Sequence, residues 1–135
     1  MGSPPEMCSL LGSCQCQFVF EADGSVYPCD FYVTDEWKMG NIHENGLLEL
    51  YESDNCWRFK QSSLSASPIC EKCKWKALCR GGCRRERQNP LTKELERNYY
   101  CESFSEFLPY AYPRLIELGR YVQKVQSQRL EARTK

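Results

Sequence analysis

The chemistry of this chain is concentrated in its cysteines. Residues 70–83 read CEKCKWKALCRGGC, four thiols separated by two, five and three residues, and the 135-residue chain holds ten cysteines against one histidine. Sulfur at this density serves a disulfide framework, a zinc site or an iron–sulfur site, and each use leaves its own spacing. A structural zinc ion takes four Cys or His ligands, usually from two C-x2-C knuckles. Only Cys70 and Cys73 form such a knuckle; Cys79 and Cys83 could make a looser second pair, leaving the other six cysteines unexplained. A [4Fe–4S] cubane takes one thiolate per iron and gathers its ligands from a short loop plus a remote residue. Cys70, Cys73 and Cys79 supply such a loop. Gly81 and Gly82, lacking Cβ atoms, would let backbone N–H groups approach inorganic sulfur, although a plain turn explains the pair equally well.

Charge and compartment bound the partners. Eighteen Lys plus Arg balance eighteen Asp plus Glu, so no net field recruits nucleic acid or an anionic membrane. No apolar run approaches the roughly twenty residues that span a bilayer. The start MGSPPEM has neither the basic nor the apolar region of a secretory signal. A cytoplasmic location is expected, where thiols stay reduced and metal ligation prevails over a secreted disulfide scaffold.

The elements that must position these thiols can be read coarsely. QFVFEADGSVYPCD alternates apolar and polar residues around Asp23-Gly24, which predicts a hairpin of about Gln17 to Ala22 and Ser25 to Tyr27 on a tight two-residue turn. Pro28 ends the second strand and delivers Cys29 and Asp30 into an irregular segment. A connector, Gly40-Asn41-Ile42, should lead to a helix containing Leu47, Leu48, Leu50 and Tyr51. Asp54 is expected to cap a further helical turn through Trp57, Phe59 and Lys60. The small polar stretch 62–68 reads as a linker, and the polar run 84–98, RRERQNPLTKELERN, as a surface excursion. Leu115, Leu118, Val122 and Val125 share one face of a helix from Pro113 to about Arg129, with proline in its first turn. Core packing is the simplest use of that face, and docking on a partner domain is the alternative. Residues 129–135 should fray. The fold class expected is α+β: an N-terminal hairpin, irregular cysteine-rich loops and C-terminal helices.

The full spacing is more specific than the 70–83 motif. Cys8, fifteen residues, Gly24, SVYP, Cys29, then Cys70, Cys73, Cys79, Cys83 and finally Cys101 resembles the SPASM domain, the twice-clustered domain of many radical S-adenosylmethionine enzymes. Cys14, the hairpin sequence at 17–33 and Gly40 to Ile42 are most similar to the anaerobic sulfatase-maturating enzymes. The resemblance covers about residues 8–110, with 1–7 a flexible N-terminus and 111–135 a C-terminal amphipathic helix and tail. It implies two [4Fe–4S] clusters, one on Cys8, Cys14, Cys29 and Cys83 and the other on Cys70, Cys73, Cys79 and Cys101. Gly24 takes the pattern's fixed glycine. Loading and folding would then be one process, because Cys83 crosses between the groups. Cys16 and Cys56 remain as small buried apolar groups.

The same resemblance makes Asp30 the base that takes a proton from a sulfatase Cys or Ser during its oxidation to formylglycine. Without the resemblance, Asp30 reads as a loop aspartate bonded to its own backbone. The C-x3-C-x2-C motif that binds the reactive cluster is missing: Cys79-x3-Cys83 is followed by Arg84, Arg85 and Glu86. The chain is therefore not expected to act on S-adenosylmethionine alone. Its expected partners are a radical S-adenosylmethionine barrel domain, in cis or in trans, and a sulfatase or other peptide. A non-catalytic zinc-binding interaction module is the competing reading.

Overall fold

The computed structural model describes residues 5–64 and 67–133. The first four residues of the expected N-terminal tail, the middle of the expected 62–68 linker and the last two residues of the chain lie outside that range. The chain divides after Tyr99 into two compact units, and its secondary structure is mixed: short helices with one small antiparallel sheet.

In the first unit, β1 (Val19–Phe20), β2 (Ser25–Tyr27) and β3 (Gly40–Asn41) form an antiparallel sheet in that order. The register pairs Val19 with Tyr27, Phe20 with Val26, and Val26 with Gly40. The hairpin turn differs from the expected two-residue form. Glu21 N–H donates to Ser25 O and Gly24 N–H to Glu21 O, leaving a three-residue loop that closes on Gly24 at φ +82°. That is the left-handed position glycine fills without strain. Asp23 fastens the loop by accepting from both the Ser25 N–H and hydroxyl. The first strand is shorter than expected, and the supposed connector at Gly40 is the third strand.

Two helices follow, α1 (Leu47–Glu52) and α2 (Asp54–Ser62). Ser53, rather than Asp54, caps α2: its hydroxyl oxygen accepts from Cys56 N–H at 3.2 Å, satisfying a donor that the helix itself leaves open. Three single-turn helices complete the unit: α3 (Pro68–Glu71), α4 (Lys76–Cys79) and α5 (Arg84–Arg87). Residues 88–99 fold back on α5, with Glu96 N–H donating to Arg87 O and Tyr99 N–H to Glu86 O.

The core of this unit has two parts. Val26, Met39, Leu50 and Cys56 form one, with Cys16 and Phe18 against it. Tyr32, Trp37 and Phe59 form the other, their rings meeting edge to face at centroid distances of 5.1 to 6.1 Å. Cys14, Cys16 and Cys29 pack on that aromatic group, so the first thiols are built onto the rigid part of the fold. Cys16 and Cys56 form a disulfide with their Cα atoms 6.2 Å apart, within the range that such a bond spans. The two were expected to be simple apolar fillers.

The 84–98 stretch is not a wholly surface excursion. Arg84, Arg87 and Asn98 are buried, because α5 lies under the aromatic group rather than outside it.

The second unit carries one long helix, α6 (Cys101–Arg133), with Pro109 and Pro113 inside it. It begins twelve residues before the expected start and continues past Arg129, where fraying was expected. Leu115, Leu118 and Val122 are exposed, so their shared face is not core. No helix among the described residues is long and apolar enough to cross a membrane.

Candidate metal centre

The site assembles from four separate places in the chain. Cys8 opens a 3-10 turn, Cys8–Leu10. Cys14 follows a loop that bends at Gly12, φ +81°, where Arg80 Nη1 donates to Leu10 O at 3.2 Å. Cys29 sits just past β2, in extended conformation before the 3-10 turn Asp30–Tyr32. Cys83 immediately precedes α5. All four line one pocket, together with Ser9, Ser13, Asp30, Gly82, Arg84 and Arg87.

The surroundings hold these groups in place. Cys14 N–H donates to the Ser63 hydroxyl at 2.8 Å, and that hydroxyl donates to Lys60 O at 2.6 Å. The first loop is thereby tied to the end of α2. Tyr32 OH donates to Gln88 Oε1 at 2.8 Å, joining the aromatic group to the segment after α5. Gly82 adopts φ +72°, and a Cβ there would run into the Asn98 side-chain amide. Only glycine fits that wall of the pocket. Gly81, at φ +89°, offers its carbonyl to Asn98 Nδ2 at 3.1 Å. Gly24 does not line the pocket; it stays at the hairpin tip, close to Asn41 and His43.

Burial dominates the electrostatics of two of these thiols. Burial pushes the Cys29 thiol up to about 12, with the Asp30 hydrogen bond and charge acting the same way and the Phe31 backbone N–H opposing them. Burial likewise raises Cys14, against the Ser63 hydroxyl and the positive charges of Arg84 and Arg87, while Cys83 adds to the rise. Metal must displace these protons to bind, which couples affinity to pH.

Arg84 occupies an unusual position. It is 5% exposed, and its guanidinium carbon lies 4.9 Å from the Tyr32 ring centroid, 4.7 Å from Trp37 and 4.9 Å from Phe59. Nη1 donates to Phe59 O at 3.2 Å, but Nε is buried with no acceptor among the described residues. Arg87 donates from Nη2 to Ser63 O at 2.8 Å. Sequence reading missed both arginines and Ser63. The available signal was the i, i+3 spacing of Arg84 and Arg87 directly after Cys83, which puts them on one side of a helical turn.

The residues suit an iron–sulfur group. The donors are soft thiols, and the lining includes a buried cation with an orphan N–H donor. Among the described residues, no three His, Cys, Asp or Glu side chains converge closely enough to hold a single metal ion.

The remaining candidate ligands are distributed differently. Cys70 lies in α3, Cys73 follows it with its N–H donating to Cys70 O at 3.2 Å, and Cys79 ends α4. Cys101 is the first residue of α6, in the second unit. All eight of these cysteines are free thiols.

Residues 8–74 match the SPASM family, described as an iron-sulfur cluster-binding domain. Residues 8–74 are a SPASM domain. It is 50% identical over 116 residues to a cysteine-type anaerobic sulfatase-maturating enzyme of Clostridium perfringens, covering 86% of this chain and 31% of that protein. A serine-type anaerobic sulfatase-maturating enzyme of Bacteroides thetaiotaomicron is 30% identical over 115 residues, covering 84% and 28%. Among solved structures, anSMEcpe with bound AdoMet and the Cp18Cys peptide superposes with a TM-score of 0.84 at 49% identity, covering 87% of this chain and 32% of that one. This SPASM segment thus spans about a third of the length of the relatives it matches.

Proposed function

We propose that this chain is the auxiliary redox segment of a radical S-adenosylmethionine enzyme that oxidises a Cys or Ser of a sulfatase to formylglycine. The observation that carries the reading is the convergence of Cys8, Cys14, Cys29 and Cys83 on one pocket, with Asp30 on its wall. Relatives of both the cysteine and serine type support the reaction class, and the related structure with bound Cp18Cys peptide supports a peptide substrate.

An iron–sulfur cluster, when bound by these thiolates, supplies a one-electron acceptor. The chain's own residues do the rest. The four thiols give up their protons and become fixed anions around the pocket. Tyr32, Phe59 and the Arg84 stack keep bulk water from one side of it, since Phe59 is fully buried and Tyr32 nearly so. Asp30 holds its carboxylate at the wall, where it accepts the proton of the substrate thiol or hydroxyl. Loss of that proton makes the adjoining carbon-centred radical easier to oxidise, so a base beside an acceptor is an effective pairing. The radical itself would arise on a separate barrel domain.

A second cluster on Cys70, Cys73, Cys79 and Cys101 rests on the resemblance of the cysteine pattern to the SPASM family. The test of the whole reading is metal analysis of anaerobically purified chain. About eight irons with matching sulfide, in brown protein, are expected for two cubanes. Colourless protein carrying stoichiometric zinc overturns the reading.

A further inference from the structure

We infer that Arg84 is the fixed counter-ion of the cluster held by Cys8, Cys14, Cys29 and Cys83, and that its charge sets how easily that cluster is reduced. The inference rests on the metal-centre reading above and goes beyond it.

A guanidinium keeps its charge inside a protein. Burying one without an anion is costly, because its hydration is lost and nothing replaces it. Arg84 is 5% exposed, yet no carboxylate pairs with it among the described residues, and its Nε has no acceptor. Among the described residues its hydrogen bond goes to a neutral carbonyl, Phe59 O. The three rings around it offer the negative faces of their π systems, which attract a cation but carry no net charge. Within this unit, the anion that answers the charge is the thiolate set of the pocket that Arg84 lines.

The cage also fixes where the charge stands. Tyr32, Trp37 and Phe59 come from the segment after β2 and from α2, and Arg84 is held among them on the first turn of α5, next to Cys83. A flexible surface lysine would follow the local charge and be screened by water. A stacked, buried guanidinium stays where it is and is screened little. Reduction adds one electron to the cluster and breaks no bond, so the negative charge beside Arg84 grows. A fixed cation there favours the reduced state, and its removal lowers the midpoint potential.

The experiment uses the full chain, reconstituted without oxygen, with iron and sulfide analysis and a dithionite titration followed by electron paramagnetic resonance. Cys14→Ser identifies the signal of the pocket. If that variant alters neither iron content nor any signal, the metal-centre reading fails independently of Arg84. Given that signal, Arg84→Met with full iron should lower its midpoint potential by about 59 mV, a tenfold change for a one-electron couple. An unchanged or raised potential at full iron overturns the inference. Should Arg84→Met load poorly, Arg84→Lys decides: restored iron at near the original potential supports the charge. Loading as poor as in the Met variant would mean that the position matters only for stacking, and the inference falls.

Discussion

The Cys29 thiol donates a hydrogen bond to Asp30 Oδ1 across 3.2 Å. The proposed ligand and the proposed base are therefore partners while the thiol keeps its proton. Metal binding at Cys29 would remove that proton and with it the bond, so one event would create a ligand and free a carboxylate oxygen. In a complete enzyme carrying this segment, Asp30→Asn should leave iron content unchanged and reduce aldehyde formation by about 10²-fold or more, the usual loss for a missing general base. Mass spectrometry of the substrate peptide, alongside iron analysis, checks this. Undiminished turnover would remove Asp30 from the mechanism.

Cys83 separates the two proposed ligand groups. It stands at the end of the 70–83 motif in sequence but lines the pocket of Cys8, Cys14 and Cys29 in space. Cys83→Ala should therefore abolish the signal that Cys14→Ser also abolishes, whereas Cys73→Ala should leave that signal in place. Paramagnetic resonance on the reduced proteins distinguishes the two. Loss of the pocket signal in Cys73→Ala alone would reassign the ligands.

The pH dependence of the metal-free, reduced chain follows from the raised thiols. Cys29 titrates near 9.0 when unperturbed and at about 12 in the fold, so the unfolded chain loses this proton first. The contribution to stability is complete below pH 9.0 and is lost as pH rises toward about 12. Urea unfolding at about pH 8 and about pH 11 should show a lower midpoint at the higher value. The metal-loaded chain should lack this component, because the thiol has already lost its proton.

Gly82 gives a stability test on the metal-free chain. Alanine there meets both φ +72° and the Asn98 amide, and should cost about 1–3 kcal/mol. Gly46→Ala is the control: its backbone is at φ −70° and a Cβ would find only Glu49 Oε2 at 3.9 Å. Denaturant unfolding of both variants against the parent measures the difference.

The parts of this fold legible in the sequence are those whose signal is local. The hairpin was readable because Asp23-Gly24 sits between alternating residues, and the family because its thiols keep fixed intervals. Gly40–Asn41 reads as a connector because two residues are too few to show alternation. The α6 face misled for another reason: periodicity at Leu115, Leu118 and Val122 reveals that a face exists, but not what covers it. The arginines read as surface residues because charge usually means surface. What buries Arg84 comes from Tyr32, Trp37 and Phe59, about 25 to 52 residues earlier in the chain, and no local pattern announces that meeting.

Trp37 gives the aromatic group a further use. It is 6% exposed, whereas Trp57 is 64% exposed, and guanidinium carbons lie 4.6 and 4.7 Å from its ring, from Arg58 and Arg84 respectively. Its emission should be blue-shifted relative to that of Trp57, and should be quenched when an iron–sulfur chromophore fills the pocket that Arg84 lines. The protein thus carries its own optical gauge of whether the pocket is filled, readable in real time and without a label.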